Sequence, residues 1–194
     1  MTQLEISNEL WNQLETLRQR FDTPTQAEFL AFSLNAAQTR YWLAVGAIVT
    51  SADREILMVG NDYGGDELVW NLPGGAVDPG EDLLQAVRRE LHEETGLAAL
   101  EIGPLAWIVQ AIRPHDVPFI IGFVFEITTW DGEVSVANEI EHGDVQQARF
   151  MPFAEALECM IPGNRAAFRD WLATHQNGPR LYFVTPEDTR EITP

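Results

Sequence analysis

The chain has 194 residues, 45% of them hydrophobic, and thirty acidic against twelve basic residues, for a formal charge of −18. All twelve bases are arginine, which excludes a P-loop lysine or a Schiff-base lysine, and such a surface repels nucleic-acid phosphates and anionic membranes. No apolar run approaches the ~18 residues of a membrane span, and the single cysteine, Cys159, excludes an intramolecular disulfide framework.

The length suits one domain with an appendage. The first residues carry neither a basic region nor an apolar signal core, so a cytoplasmic location is the expectation. Leu10, Leu14, Leu17 and Phe21 recur at helical spacing. Thr23, Pro24 and Gln26 then read as a stop and restart, an N-cap, N1 proline and capping-box partner. The second helix buries Phe29, Leu30, Phe32 and Leu34. Residues 1–39 are thus expected to form an N-terminal helical hairpin, which covers the core, forms a homodimer interface or acts as a lid.

Residues 41–50 are a continuous apolar run and a buried strand. A turn at 51–54 leads to Glu55–Val59, read as its hairpin partner. Residues 61–67, with Gly64 and Gly65, are a loop. Residues 68–75 form a short strand entering a glycine turn. Two long strand regions follow, 100–113 and 118–130, with Asp131-Gly132 as a turn. Residues 136–144 are acidic and loop-like, and 145–153 are a strand. Helices are expected at 154–160 and 164–175, a short strand at 180–184, and a frayed tail at 186–194. Strand-rich segments interrupted by a helix, with helices at both ends, indicate a mixed α+β fold. Its mixed β-sheet lies between helices as an α/β/α sandwich over residues 40–185.

The segment 75–97 stands apart. Gly75 leads to a helix whose end reads Arg89-Glu90-Leu91-His92-Glu93-Glu94. Like charges four apart destabilise a helix, and acids near its C-terminus oppose the macrodipole. A sequence accepting both has reason to hold a cation. At about 100° per residue, Leu83, Leu84, Val87 and Leu91 make an apolar stripe, while Gln85 and His92 face water beside Arg88. Glu90, Glu93 and Glu94 fall in neither place, on an arc of roughly 100° that borders and partly overlaps the stripe. Carboxylates at such a seam are costly without partners, and an oxygen-rich cluster suits Mg²⁺ or Mn²⁺. Glu81 places favourable charge at the helix start. Gly74 and Gly75 let main-chain groups approach a metal or a phosphate.

Gly75, Glu81, Arg89, Glu90, Leu91, Glu93, Glu94, Gly96 and Leu97 fill the Gly-x5-Glu-x7-Arg-Glu-hydrophobic-x-Glu-Glu-x-Gly-hydrophobic pattern. This resembles the Nudix box of the Nudix hydrolases. The resemblance implies the same sandwich fold and a hydrolase acting on nucleotide derivatives. It implies Mg²⁺ (or Mn²⁺) held by Glu90, Glu93 and Glu94, with Glu81 and Arg89 supporting the loop–helix geometry through an ion pair. Water would attack phosphorus, with Glu93, Glu94 or an acid outside the box as base. Similar proteins often place a glutamate six residues before an aromatic in a following strand. Here that position is Asp144, before Phe150, and Glu139 and Glu141 are rivals on the same loop. The substrate class implied is a nucleoside diphosphate linked to another group, of the ADP-ribose or NDP-sugar type. Pro114, seventeen residues after Leu97, resembles the ADP-ribose branch. The alternatives are a nucleoside triphosphate pyrophosphohydrolase and a non-catalytic binding module. Arg113 could meet a phosphate; Trp70, Phe119 and Trp107 could stack on a base, although strand aromatics are more often core. His115 and His142 read as surface residues, and Cys159 as a packing residue. No nucleic-acid or membrane partner is expected.

Overall fold

The computed structural model describes residues 41–111, 119–138, 144–174, 179–184 and 189–192. The expected N-terminal hairpin lies outside the described residues, as do Arg113, Pro114, His115, Glu139, Glu141 and His142. Tyr41–Pro194 is one compact unit, set apart from residues 1–40 by the division of the chain. That unit carries every described strand and helix.

Its strands are β1 (Tyr41–Val49), β2 (Glu55–Asn61), β3 (Val69–Asn71), β4 (Ala98–Ala111), β5 (Phe119–Asp131), β6 (Val145–Pro152), β7 (Arg180–Val184) and β8 (Thr189–Ile192). Its helices are α1 (Leu83–Thr95), α2 (Phe153–Cys159) and α3 (Pro162–Thr174). The strands form two sheets rather than one. A five-stranded mixed sheet runs β1-β5-β4-β7-β8, and a three-stranded antiparallel sheet runs β3-β2-β6.

The expected β1–β2 hairpin is therefore corrected. β1 pairs in parallel with β5 along its length, and no ladder joins it to β2, where an isolated bridge links Thr50, just past β1, to Ile56. The reason is burial. Val45, Ala47 and Val49 face one apolar cluster while Ile48 faces another, and in β2 Ile56 and Met58 oppose Leu57 in the same way. Two strands that are apolar on both faces need cover on both sides. The Ser51–Arg54 turn lets the chain change sheets, with Ser51 N–H bonded to the Glu55 carbonyl at 3.0 Å. The terminal segment is corrected too: Thr189–Ile192 is β8, antiparallel to β7, where a frayed tail was expected.

α1 covers one cluster, in which Ala86, Val87 and Leu91 meet Val45, Ala47, Val49, Leu57 and Leu97. α2 and α3 cover the other, in which Ala156, Ala167 and Phe168 meet Ile48, Met58, Trp107 and Tyr182. α1 begins after the first acid of the motif. Asp82 is the N-cap and makes a capping box with Gln85, satisfying donors that the first turn leaves free. Glu81 thus precedes the helix rather than opening it. Leu84, assigned to the apolar stripe, is exposed, and Ala86 is buried in its place. The stripe is rotated because α1 lies under the glycine loop as well as on the sheet.

Candidate functional site

The glycine loop is laced to β1 as an irregular extra strand. Ala47 N–H donates to the Pro73 carbonyl, Val45 N–H to the Gly75 carbonyl, and Val77 N–H to the Leu43 carbonyl, each at 2.9 Å. This closeness dictates the residue types. Gly74 has φ +150°, and a Cβ there would lie 2.1 Å from the Val45 carbonyl oxygen. No side chain fits. At Gly75 a Cβ would lie 2.5 Å from Oε1 and 2.7 Å from Oε2 of Glu90. The two glycines thus admit two different neighbours: backbone at Gly74 and a carboxylate at Gly75.

The acids of α1 meet that loop. Glu94 is buried at 8% exposure, and its Oε2 accepts the Gly74 N–H at 2.7 Å. Glu90, with a side chain 13% exposed, lies against Gly75 and accepts from Arg89 at 2.9 Å. Glu93 is the most open of the three, at 36%, and accepts from the same guanidinium at 3.1 Å. The carboxylates thus lie at the seam between helix and domain. Among the described residues, no three acid, histidine or cysteine side chains converge as a ready metal cage. Glu90 and Glu93 turn toward Arg89, and Glu94 turns toward the loop.

Arg89 ties these parts together. It makes a two-pronged pair with Glu81, Nε to Oε1 at 3.0 Å and Nη2 to Oε2 at 2.9 Å, and donates to the Ala76 carbonyl at 2.8 Å. Its planar fork suits this work better than an ammonium. The hydrogen bond to Glu81, with Glu90 and Glu93 alongside, raises the guanidinium pKa further, so it stays charged at any accessible pH. In return Arg89 holds the Glu81 carboxyl below its ordinary value. Glu81 also accepts the Asp78 N–H at 3.1 Å, fixing the turn before the helix.

Outside the box, Asp144 is half-buried just before β6, and its carbonyl accepts the Asp62 N–H at 2.7 Å. Its placement is therefore set by the loop after β2. Trp70 is half-buried, with Arg149 over its ring at 5.0 Å, and packs on the α2–α3 cluster. Arg149 in turn pairs with Glu155. Trp107 is a core residue, 1% exposed, as strand aromatics more often are. The Phe119 side chain lies outside the described residues. Cys159 packs against Met151 with Sγ 3.6 Å from Sδ, and burial pushes its thiol pKa up. Sequence reasoning overlooked two features. The Asp82-x-x-Gln85 box was readable in the order of residues. The contact of Asn164 with Asn71 at 2.8 Å joins residues 93 positions apart and leaves no local signal.

The NUDIX domain family model matches residues 40–172. The chain is 39% identical to an RNA pyrophosphohydrolase of Brucella ovis, over 65% of this chain and 79% of the relative. It is 28% identical to an RNA pyrophosphohydrolase of Dinoroseobacter shibae, over 68% and 94%. Among solved structures, a mutator MutT protein from Bacillus halodurans matches with TM-score 0.61 at 23% identity, over 77% of this chain and 97% of that one. The E. coli ORF135 protein matches with TM-score 0.59 at 23% identity, over 72% and 94%. These two share the fold.

Proposed function

Because the chain belongs to the NUDIX family, we propose that it is a Mg²⁺-dependent hydrolase cleaving a nucleoside diphosphate linked to a second group. Hydrolysis of pyrophosphate bonds follows from the family, and divalent metal ions are the family's general cofactors. The choice of Mg²⁺, the residues that hold it and the substrate are the proposed parts.

The observation that carries it is the burial of Glu90 and Glu94 against a loop that leaves space for no side chain at Gly75. An all-oxygen donor set of this kind fits a hard divalent cation. Glu90, Glu93 and Glu94 would hold it, with Glu93, the most exposed, as ligand or base. A bound divalent cation supplies charge neutralisation at phosphate oxygens and lowers the pKa of the attacking water. The rest is the work of the chain. Arg89 and Glu81 lock the helix to the loop, Gly74 orients Glu94 through its N–H, and Gly74 and Gly75 let backbone approach the phosphates. Asp144 is the base candidate whose surroundings are described; Glu139 and Glu141 are its rivals. Arg113 and Trp70 are candidate contacts for the far phosphate and the base. Attack at one phosphorus expels the other phosphate and yields a nucleoside monophosphate and the phosphorylated second group.

Inspection of products from a broad nucleotide panel, with Mg²⁺ and with chelator, tests this. A nucleoside monophosphate plus a sugar phosphate from an ADP-ribose or NDP-sugar substrate supports it. A second reading is pyrophosphate release from a 5′-triphosphate, free or at an RNA end. It is favoured by the relatives named RNA pyrophosphohydrolase. Against an RNA track stands the charge of −18 without a single lysine. Pyrophosphate as the main product would establish this second reading. Tight binding of one nucleotide without turnover would establish a binding module instead. A cytoplasmic homodimer joined through residues 1–39 completes the proposal: deleting residues 1–38 should turn a dimer into a monomer by light scattering, and a mass lowered only by that of the deleted residues would rule that interface out.

A further inference from the structure

We infer that Asn164, on α3, is a positioning residue for the glycine loop and, through it, for Glu94. Trp107 is fully buried, and its indole N–H lies 3.3 Å from Asn164 Oδ1. An indole nitrogen only donates, so it fixes which end of the Asn164 amide faces it. Asn164 Nδ2 is thereby aimed the other way, at Asn71 Oδ1, 2.8 Å away. A group that cannot turn thus orients a relay from the core to the last residue of β3.

Asn71 stands three residues before Gly74, whose N–H holds Glu94. The intervening chain has little slack. Leu72 is buried, Pro73 has a fixed φ, and the Pro73 carbonyl is bonded to Ala47 N–H. The α2–α3 junction reinforces the hold, because Ile161 N–H donates to the Trp70 carbonyl at 3.1 Å and Asn164 N–H to the Ile161 carbonyl at 3.2 Å. The Asn164 amide is engaged by Trp107 and Asn71, so its influence on Glu94 is exerted through the loop. The consequence for catalysis rests on Glu94 being a metal ligand, as proposed above.

The test compares Asn164→Leu with Asn164→Asp and with Trp171→Phe. The last removes a 2.8 Å hydrogen bond from the same helix to Glu126 on β5 and serves as the control for general loosening. Amide exchange at Gly74 is read relative to Leu91, and Mn²⁺ binding is measured without substrate. In Asn164→Leu, Gly74 exchange should rise about tenfold beyond that of Leu91, the factor expected for losing the hydrogen bond to Asn71 that bears on the loop. Mn²⁺ affinity should fall by a similar factor, and kcat should fall more than KM changes. Asn164→Asp should restore all three, since its carboxylate accepts from Trp107 and from the turned Asn71 amide. Trp171→Phe should lower Tm without these effects. If Asn164→Leu moves Gly74 exchange no more than Trp171→Phe does, the inference fails while the functional reading stands. If Gly74 loosens but the wild type neither binds Mn²⁺ nor turns over substrate, the functional reading fails while the hold of Asn164 on the loop stands.

Discussion

Gly74 and Gly75 are adjacent and both forbid a side chain, yet alanine at each should do opposite things. At Gly75 the new Cβ meets the far end of a flexible side chain, the Glu90 carboxylate, at 2.5 Å. Reaching ordinary contact at 3.4 Å requires a shift of 3.4 − 2.5 = 0.9 Å. Glu90 can yield by rotation, at the expense of its 2.9 Å bond to Arg89. The fold survives, and the cost falls on the site. A misplacement of ~1 Å in a reacting array lowers rate by about 100-fold, so Gly75→Ala should lose about that much kcat with Tm shifted by only about 2–4 °C. At Gly74 the obstacles are the Val45 carbonyl at 2.1 Å and the Gly46 Cα at 2.8 Å, both backbone in the buried first strand. Nothing there can rotate away. Gly74→Ala should cost more than about 3 kcal/mol and lower Tm by roughly 10 °C. Thermal melts beside phosphate-release kinetics separate the two cases. A double-mutant cycle of Gly75→Ala with Glu90→Gln should be strongly non-additive, because both act on one carboxylate. Wild-type turnover in Gly75→Ala, or additive losses in the cycle, would refute the assignment of that space to Glu90.

Other expectations arise from the same network. Arg89 holds the Glu81 carboxyl below its ordinary pKa, so this stabilisation is complete above the unfolded value and vanishes as pH falls through the folded one. Glu81→Gln should therefore melt below wild type at pH 7, with the gap closing below about pH 4; a gap that persists in acid would contradict the charge argument. Mg²⁺ at a hundred times its Kd should stabilise the protein by roughly 2.7 kcal/mol, visible as a higher Tm that chelator reverses. In Glu94→Gln most of that increment should be lost, and an undiminished shift would place the ion elsewhere. For the base, Asp144→Asn, Glu139→Gln and Glu141→Gln should be compared by kcat. Asp144→Asn should lower kcat by ~10²–10⁴-fold, while near wild-type kcat in that variant assigns the base to a rival.

Much of the fold and the site is legible without coordinates, for local reasons. β1 and the long strands β4 and β5 announce themselves by apolar runs, and α1 by its period and its pattern of acids. That Glu90 and Glu93 flank the apolar stripe while Glu94 falls within it follows from helix geometry alone. Leu84 falls in the stripe by period because period counts angle and not neighbours; the loop beside α1 shifts the buried face to Ala86. A β1–β2 hairpin is the natural expectation because nearby strands usually pair, but both strands are apolar on both faces and each is claimed by a different sheet. Trp107 and Trp70 are alike as letters. Only packing separates an indole buried in the core from one lying under Arg149.

By itself, then, the sequence determined the chemistry available to this protein: a glycine turn, a helix ending in three carboxylates, an arginine to brace them, and a surface with no lysine. Those properties reside in residue type and short-range spacing, which a helix converts directly into position. Only the tertiary structure decided that Glu94 is held by Gly74, that Glu90 occupies the space beside Gly75, and that Asn164 reaches Asn71 from 93 residues away. Such contacts depend on how sheets and helices stack. Their energy comes from buried surfaces brought together across the whole chain, and no local window of sequence contains it.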